Sequence, residues 1–504
     1  MGYLVYCFYA LIVYVSLWFL RQLHRQRSLP HGPLPYPFVG NLPSIYGETH
    51  QKLDRLASQY GPIFTLWFGR APIVIVSDAQ ACEEVFMRNG SKFSDRPDFI
   101  NKQITKYQTR LPYMNYCPVL VKKQTICTAA CAVDEVLMDQ VLSEIVGKTR
   151  ALFDSKCSKK SFQPSPALQN VSMQVMSKLI YGTDMDRATF DDFNLPGNPL
   201  VFSLINTTNL FRSLRLLRPG PYLSFKEFIK NREQILVQTF CHAMQTSEKE
   251  HNDGIESKLT IMRRITDALR GDDDNSDVDT PHDFTDESDL WAQSHLLCSD
   301  LFLVSIEKIA ATLDWMFLYF VTWPEIQQQL YEKLRSMGLH QKEQVTVSEA
   351  SGIVFLRAAV YETLRLSSLC PLSTVHQTNE QVTLKGHKLP KGTCVCVNLN
   401  AIHHDTKYWD EPYHFNPARF IDEETGALKN IGALKGFYPF GQGVRECFGE
   451  ELTLKVLTTL MANMLLHFNF DVSPWHLRPT LAGSSRLILV PQSYHITVTK
   501  RKNK

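Results

Sequence analysis

Excess charge of either sign is missing from this sequence: 53 Lys and Arg stand against 51 Asp and Glu, a formal +2 over 504 residues. That balance excludes the strongly basic face by which nucleic-acid binders usually declare themselves. Internal repetition at periods of roughly 20–50 residues is also missing, which excludes solenoids and propellers. The 12 cysteines follow no framework spacing. Their two close pairs, Cys127/Cys131 and Cys394/Cys396, are not CxxC, and no second pair sits at zinc-finger distance. Scattered thiols of this kind read as free cysteines of a reducing compartment. No Lys or Arg occurs before Arg21, and Tyr3 to Leu20 is apolar or aromatic with one Ser.

That opening run is long enough, at about 1.5 Å per residue, to cross roughly 27 Å, one hydrocarbon core. Arg21, Arg25 and Arg27 follow it. Basic charge on the C-terminal side alone predicts a single span with the rest of the chain cytosolic. A cleaved secretory peptide is excluded by the missing charged start and small-residue cleavage site. Residues 1–27 are therefore expected to be a membrane anchor with a basic flank, and 28–50 a stiff hinge rich in proline, among them Pro30, Pro33, Pro35 and Pro37. The body is 51–504.

With 44% hydrophobic residues, that body can bury a large core. Ile63 to Phe68 and Pro72 to Val76 read as a hairpin. Asp134 to Leu152, Ser224 to Met244, Ser288 to Val321 and Pro324 to Met337 have helical periodicity. Short strands are expected near Gln381–Leu384, Thr393–Leu399, Arg486–Val490 and Tyr494–Thr499. The expected fold is mainly α with a small β region assembled from distant segments. The acidic stretch 271–289 repels itself and reads as a solvated loop.

The segment that carries chemistry is Tyr438-Pro439-Phe440-Gly441-Gln442-Gly443-Val444-Arg445-Glu446-Cys447-Phe448-Gly449. Gly441 and Gly443 let the chain double back, and Gly449 allows close packing after the cysteine. An apolar helix, Leu452 to Phe468, follows. A cysteine before a helix feels the positive end of its dipole, which favours thiolate. Thiolate is the form in which cysteine serves as an axial ligand to haem iron. A glycine-rich turn around a buried thiol would read the same, and the loop alone leaves both open.

Phe440-Gly441-x-Gly443-x-Arg445-x-Cys447-x-Gly449 resembles the haem-binding signature of the cytochrome P450 family. Three further segments fall in the family's order. Glu362 and Arg365 resemble its Glu-x-x-Arg helix pair, Pro417-Ala418-Arg419-Phe420 its Pro-x-Arg-Phe segment, and Asp300-Leu301-Phe302 the start of its long distal helix. The resemblance spans nearly the whole chain, with Asn398 to His404 closest to the vertebrate microsomal group of xenobiotic oxidases and the steroid 17α-hydroxylase/17,20-lyase. It implies a P450-like fold over 51–504. It implies haem b (iron protoporphyrin IX) on Cys447, and haem contacts from Phe440, Gly441, Gly443 and Gly449. Arg445 and His376 would bind its propionates, and Glu362, Arg365 and Arg419 would form a buried charge network. It further implies electrons from NADPH through NADPH–cytochrome P450 reductase, with cytochrome b5 as a second donor, a lipophilic substrate, and an endoplasmic-reticulum location on the lipid bilayer. Lys435 and Lys455 could meet the reductase. Pocket-shaping residues fall in Asp98–Met114, Pro199–Lys226 and Cys370–Thr374.

Two places depart from the family. Where ordinary members carry Ala/Gly-Gly-x-Asp/Glu-Thr-Thr, this chain has Val304-Ser305-Ile306-Glu307-Lys308-Ile309. Glu307 keeps the acid, Ser305 replaces glycine and Lys308 replaces the oxygen-handling threonine; these three are the candidate catalytic residues. Where a Trp and a propionate-binding Arg or Lys are usual, Leu120 and Gln124 stand, with Lys122 and Lys123 aimed elsewhere. Burial is expected to lower the pKa of Lys308. Its amine could then ligate iron, donate a proton, or pair with Glu307; the side chain could also snorkel away. The expected activity is an O2-dependent monooxygenase. The alternatives are a haem-thiolate isomerase or dehydratase of peroxides, and a non-catalytic haem carrier.

Overall fold

The computed structural model describes residues 28–37, 39–69, 71–97, 110–157, 161–185, 219–252, 260–271, 287–485 and 488–501, with isolated positions before residue 21. The expected acidic loop lies almost wholly outside them, as do most of the anchor, 98–109 and the Pro199–Lys226 stretch up to 218. Tyr3, Tyr6, Val13 and Leu17 are helical and exposed. Among the described residues no helix is long and apolar enough to cross a membrane.

Helices dominate. The principal ones are α1 (Thr49–Tyr60), α2 (Pro118–Cys131), α3 (Glu135–Asp154), α4 (Ser165–Tyr181), α5 (Pro219–Asn252), α6 (Ile261–Arg270), α7 (Glu287–Thr322), α8 (Pro324–Ser336), α9 (Val354–Ser367) and α10 (Glu450–His467). Their starts follow local chemistry: Asp134 accepts from the Leu137 N–H ahead of α3, and Thr260 caps α6 the same way. The last helix begins two residues before its apolar run, because Glu450 and Glu451 suit a first turn.

The long helix α7 runs through the core. Its second half, Leu313 to Val321, is buried at every position, Asp314 included. Asp314 accepts from the Tyr494 hydroxyl at 2.8 Å. Helix α4 lies against α7, where the Ser172 hydroxyl donates to the Ile306 carbonyl at 2.8 Å.

The β region is peripheral. Strands β1 (Ile63–Phe68) and β2 (Ala71–Val76) form the expected hairpin, with Ile63 opposite Val76 and Phe68 opposite Ala71. β3 (His376–Gln377) and β4 (Cys394–Val397) complete a four-stranded sheet in the order β1-β2-β4-β3, β4 running parallel to β2. Near the C-terminus, Gly483–Ser485 pairs with Leu489–Pro491, and Phe468–Val472 with Ile496–Lys500. Of the strand expected near Arg486–Val490, Leu489 and Val490 are in a strand, while Arg486 and Leu487 lie outside the described residues.

The proline-rich segment is docked on the body. Asn41 exchanges bonds with Trp67, its N–H donating to the Trp67 carbonyl and its side-chain oxygen accepting from the Trp67 N–H at 2.8 Å. Gly32 and Gly40 lie so close to β1 that a Cβ on either would stand 2.0 Å from the carbonyl oxygens of Thr65 and Trp67.

Candidate active site

The cysteine loop is held from three directions. Gly441 and Gly443 have φ of +71° and +69°, a region that side chains disfavour. A Cβ on Gly443 would come 2.1 Å from the Phe86 carbonyl oxygen, so the loop is pressed against the π-helical turn Glu84–Arg88. Gln124 of α2 donates to the Val444 carbonyl at 3.0 Å. The Cys447 N–H donates to the Phe440 carbonyl at 2.9 Å, closing the loop on itself. Gln124 thus holds the loop, while Leu120 is fully buried in the core.

The sulfur of Cys447 has accessible surface in a cleft, although protein crowds it on its other sides. Crowding sets the direction of its pKa: burial pushes the thiol up, against the Gly449 N–H that donates to the sulfur and the nearby Lys308 ammonium. Cys447 precedes the first turn of α10 by three residues. A cation at the sulfur would reverse the balance.

Behind the loop lies the charge network. Glu362 and Arg365 are both fully buried, with Nε–Oε2 at 2.7 Å and Nη2–Oε1 at 2.9 Å. This is no surface i,i+3 pair. Glu362 also accepts from the Asn416 N–H at 2.9 Å and Arg419 Nε at 3.3 Å. Arg365 continues to the His403 carbonyl at 2.8 Å and lies 5.1 Å from the Trp409 ring centroid. The Tyr438 N–H donates to His403 Nε2 at 3.1 Å, which places the imidazole proton on Nδ1, toward Ser368 Oγ at 3.1 Å. His403 is therefore the link from the network to the first residue of the loop. Burial holds its pKa well below the ordinary value.

A second cluster forms one rim. Arg445 donates to the carbonyls of Leu111 at 3.3 Å and Met114 at 2.6 Å, and to that of Ser94. Arg96, which belongs to no motif in the sequence, donates to the Pro112 and Val375 carbonyls, both at 3.1 Å. Neither guanidinium has a carboxylate at ion-pair distance among the described residues, and Arg445 Nε is buried without a partner. Burial and mutual repulsion pull Arg96 down to about 9; burial pulls Arg445 down to about 10, with Asp95 opposing from further off. His376 Nδ1 donates to the Phe93 carbonyl at 3.0 Å, and burial with Arg96 and Arg445 lowers its pKa to about 3. It is neutral, with Nε2 as an acceptor.

Across from the loop, Val304 and Lys308 lie one turn apart on α7 and are both exposed, with Lys308 close enough to Cys370 and Cys447 to couple with their charge. Lys308 neither snorkels away nor becomes easier to deprotonate. Its pKa is raised, by the Cys370 sulfur first, against burial, and then by Cys447 and Glu307. The expected lowering is corrected: sulfurs converging from Cys370 and Cys447 outweigh desolvation. Ser305 is turned into its own helix, Oγ donating to the Phe302 carbonyl at 3.0 Å. Glu307 faces Arg232 of α5. One turn and more earlier, Asp300 pairs with Arg110 at 2.7 Å, Arg110 with Glu233 at 2.7 Å, and Glu233 with His295 at 3.2 Å. Burial raises Asp300 to about 6 despite Arg110. Lys123 turns inward to Gln293, away from the rim. Lys455 is shared between Glu135 and Glu451, each at 3.9 Å, and Lys435 is exposed.

The cytochrome P450 family profile matches residues 30–498. Cytochrome P450 2U1 of Rattus norvegicus is 26% identical over 96% of this chain and 93% of its own length. The steroid 17-alpha-hydroxylase/17,20 lyase of Macaca fascicularis is also 26% identical, over 94% and 92%. A zebrafish cytochrome P450 solved with abiraterone superposes with a TM-score of 0.72 at 22% identity, covering 90% of this chain and 100% of that one. This chain belongs to the cytochrome P450 family. It is a monooxygenase-type oxidoreductase that carries haem on a cysteine thiolate. The residues present fit that group: a cleft has one accessible sulfur on a wall, and two guanidiniums at its rim lack a carboxylate that a propionate would provide.

Proposed function

We propose that the chain inserts one oxygen atom from O2 into a lipophilic substrate at the endoplasmic-reticulum membrane. Its single N-terminal span, 1–27, leaves the body in the cytosol. NADPH–cytochrome P450 reductase and cytochrome b5 supply electrons originating in NADPH. The observation that carries this reading is Cys447, whose sulfur opens on the cleft from a loop fixed by Gly443, Gln124 and His403. Cys447 would hold the haem iron through its sulfur, and the Gly449 N–H would temper the charge on that sulfur. Arg445 and Arg96 hold the propionates. His376 stands beside them as a neutral imidazole, its pKa held down to about 3 by burial first and then by Arg96 and Arg445. Phe440, Gly441, Gly443 and Gly449 shape the proximal contact, and Glu362, Arg365 and Arg419 fix its support. When bound, the haem supplies the iron at which O2 is reduced. Glu307, Ser305 and Lys308 are the polar groups the chain offers on the oxygen side, and only Lys308 is directed across the cleft.

A second reading, peroxide rearrangement without O2 or reductase, is favoured by Lys308 itself, because no hydroxyl stands there to accept and donate at once. Turnover with reductase and NADPH decides between them. Coupled O2 uptake and a thiolate-type ferrous–CO spectrum are expected; peroxide conversion without NADPH would replace this reading with the second. In the same assay Lys308→Thr is expected to raise coupled product and lower peroxide leakage, and unchanged coupling would remove Lys308 from the oxygen chemistry.

A further inference from the structure

We propose that a second cleft, between α5, α6 and α7, binds a small planar aromatic acid that carries a hydrogen-bonding group at its far end. This cleft is separate from the one at Cys447. Ser294, its most buried polar residue, precedes Val304 on α7 by about 15 Å along the helix axis, and none of the residues placed around Cys447 lines it.

The cleft has a volume of about 280 Å³, with Phe240 and Met244 of α5, Arg270 of α6, and Leu290, Trp291 and Ser294 of α7 in its walls. Three observations point to an occupant. Ser294 is fully buried, and its hydroxyl has no hydrogen-bond partner among the described residues. Buried polar groups are as a rule paired, so this one offers a donor that an acceptor on a ligand would satisfy. Trp291 is 36% exposed although its ring is held in place. It stacks on His295 at 5.5 Å and meets Phe240 edge-on at 5.5 Å, and His295 is in turn fixed by Glu233 at 3.2 Å. A rigid aromatic ring left partly in water can take a flat partner at little cost in ordering. Arg270, in the last turn of α6, is exposed and has no ion pair among the described residues.

These features select the ligand. The volume lies at the lower end for ligand pockets, about 300–1,000 Å³, which suits two fused rings better than a long chain or a steroid. Arg270 is the one charged side chain among the described residues that line the cleft, so a monoanion is favoured over an amine. The burial of Ser294 and the exposure of Arg270 set the orientation: acid outward, hydrogen-bonding group inward, rings along Trp291.

The test is calorimetric binding of 6-hydroxy-2-naphthoate to the holoprotein, beside 2-naphthoate, which lacks the hydroxyl, and 2-naphthol, which lacks the acid. The first should bind without moving the haem absorption band. Ser294→Ala should weaken it about threefold to tenfold, the worth of one hydrogen bond, and leave 2-naphthoate unchanged. Arg270→Gln should weaken the two acids about twofold to fivefold, less as salt rises, and spare 2-naphthol. Trp291→Ala should weaken all three about tenfold. Because Ser294→Ala removes only an unpaired hydroxyl, it should melt no lower than wild type, which keeps the test readable should Trp291→Ala fail to fold. Equal affinity of 6-hydroxy-2-naphthoate for wild type and Ser294→Ala overturns the proposal, as does its failure to bind. Binding that moves the haem band and ignores Ser294→Ala would put the ligand in the Cys447 cleft and overturn it as well.

Discussion

The two walls of the cleft are built on opposite principles. On the Cys447 side the buried charges of the network are matched and the loop is tied down at several points: Glu362 accepts from three residues, and Arg365 reaches the loop through His403. On the α7 side, Lys308 faces open space, and the nearest closed network, Arg110 with Asp300 and Glu233, lies two turns away. One wall is a fixed mount; the other carries Val304 and Lys308. A family signature that survives intact on the mount therefore says little about what the opposite wall accepts.

The largest effect expected from breaking this contrast comes at the mount. Cys447→Ala should abolish the thiolate-type CO spectrum while circular dichroism stays helical; an unchanged spectrum would place the ligand elsewhere. Next, Glu362→Ala should give little holoprotein. Stranding one member of a buried pair costs about 3–5 kcal/mol, against a total of about 5–15. Near-normal haem content per molecule would mean that the network is dispensable.

The walls should also answer acid in opposite senses. His376, with a folded pKa of about 3, and His403, held well below its ordinary value, contribute stability above pH 6.5 that is lost as pH falls toward their folded values. Asp300, raised to about 6, contributes stability below its ordinary value near 4 that is lost as pH rises through 6. Between pH 4 and 6 the two slopes oppose. Melting temperature followed across that window should fall more steeply with acid in Asp300→Asn and less steeply in His376→Asn; parallel curves would contradict both assignments. The smallest effect belongs to Gln124→Ala, which removes one hydrogen bond to the loop and should cost about 0.5–1.5 kcal/mol in chemical unfolding.

Legibility in the sequence followed the range of the interaction. The cysteine loop, the Glu362–Arg365 pair and the hairpin at Ile63–Val76 could be read because their residues are near neighbours along the chain. The direction of Lys308 could be reasoned from helix geometry, but its charge could not, because Cys370 and Cys447 arrive from other segments. Arg96 looked like any arginine before a proline; its burial comes from contact with Val375, 279 residues away. Arg110 is paired with Asp300 at a separation of 190, and His403 with Arg365 at 38, so no local period announces either.

The docked proline-rich segment has a consequence for handling the protein. Strand Ile63–Phe68 lies at the edge of its sheet, and its sequence, IFTLWF, has the aromatic and β-branched character of a segment that pairs with copies of itself. Gly32 and Gly40 press against its backbone, and Asn41 occupies the donor and acceptor of Trp67. The segment is a cover on an adhesive edge. A shortened version that begins after Asn41 in pursuit of solubility would bare that edge and self-associate, whereas one that begins before Pro30 would keep it sheathed.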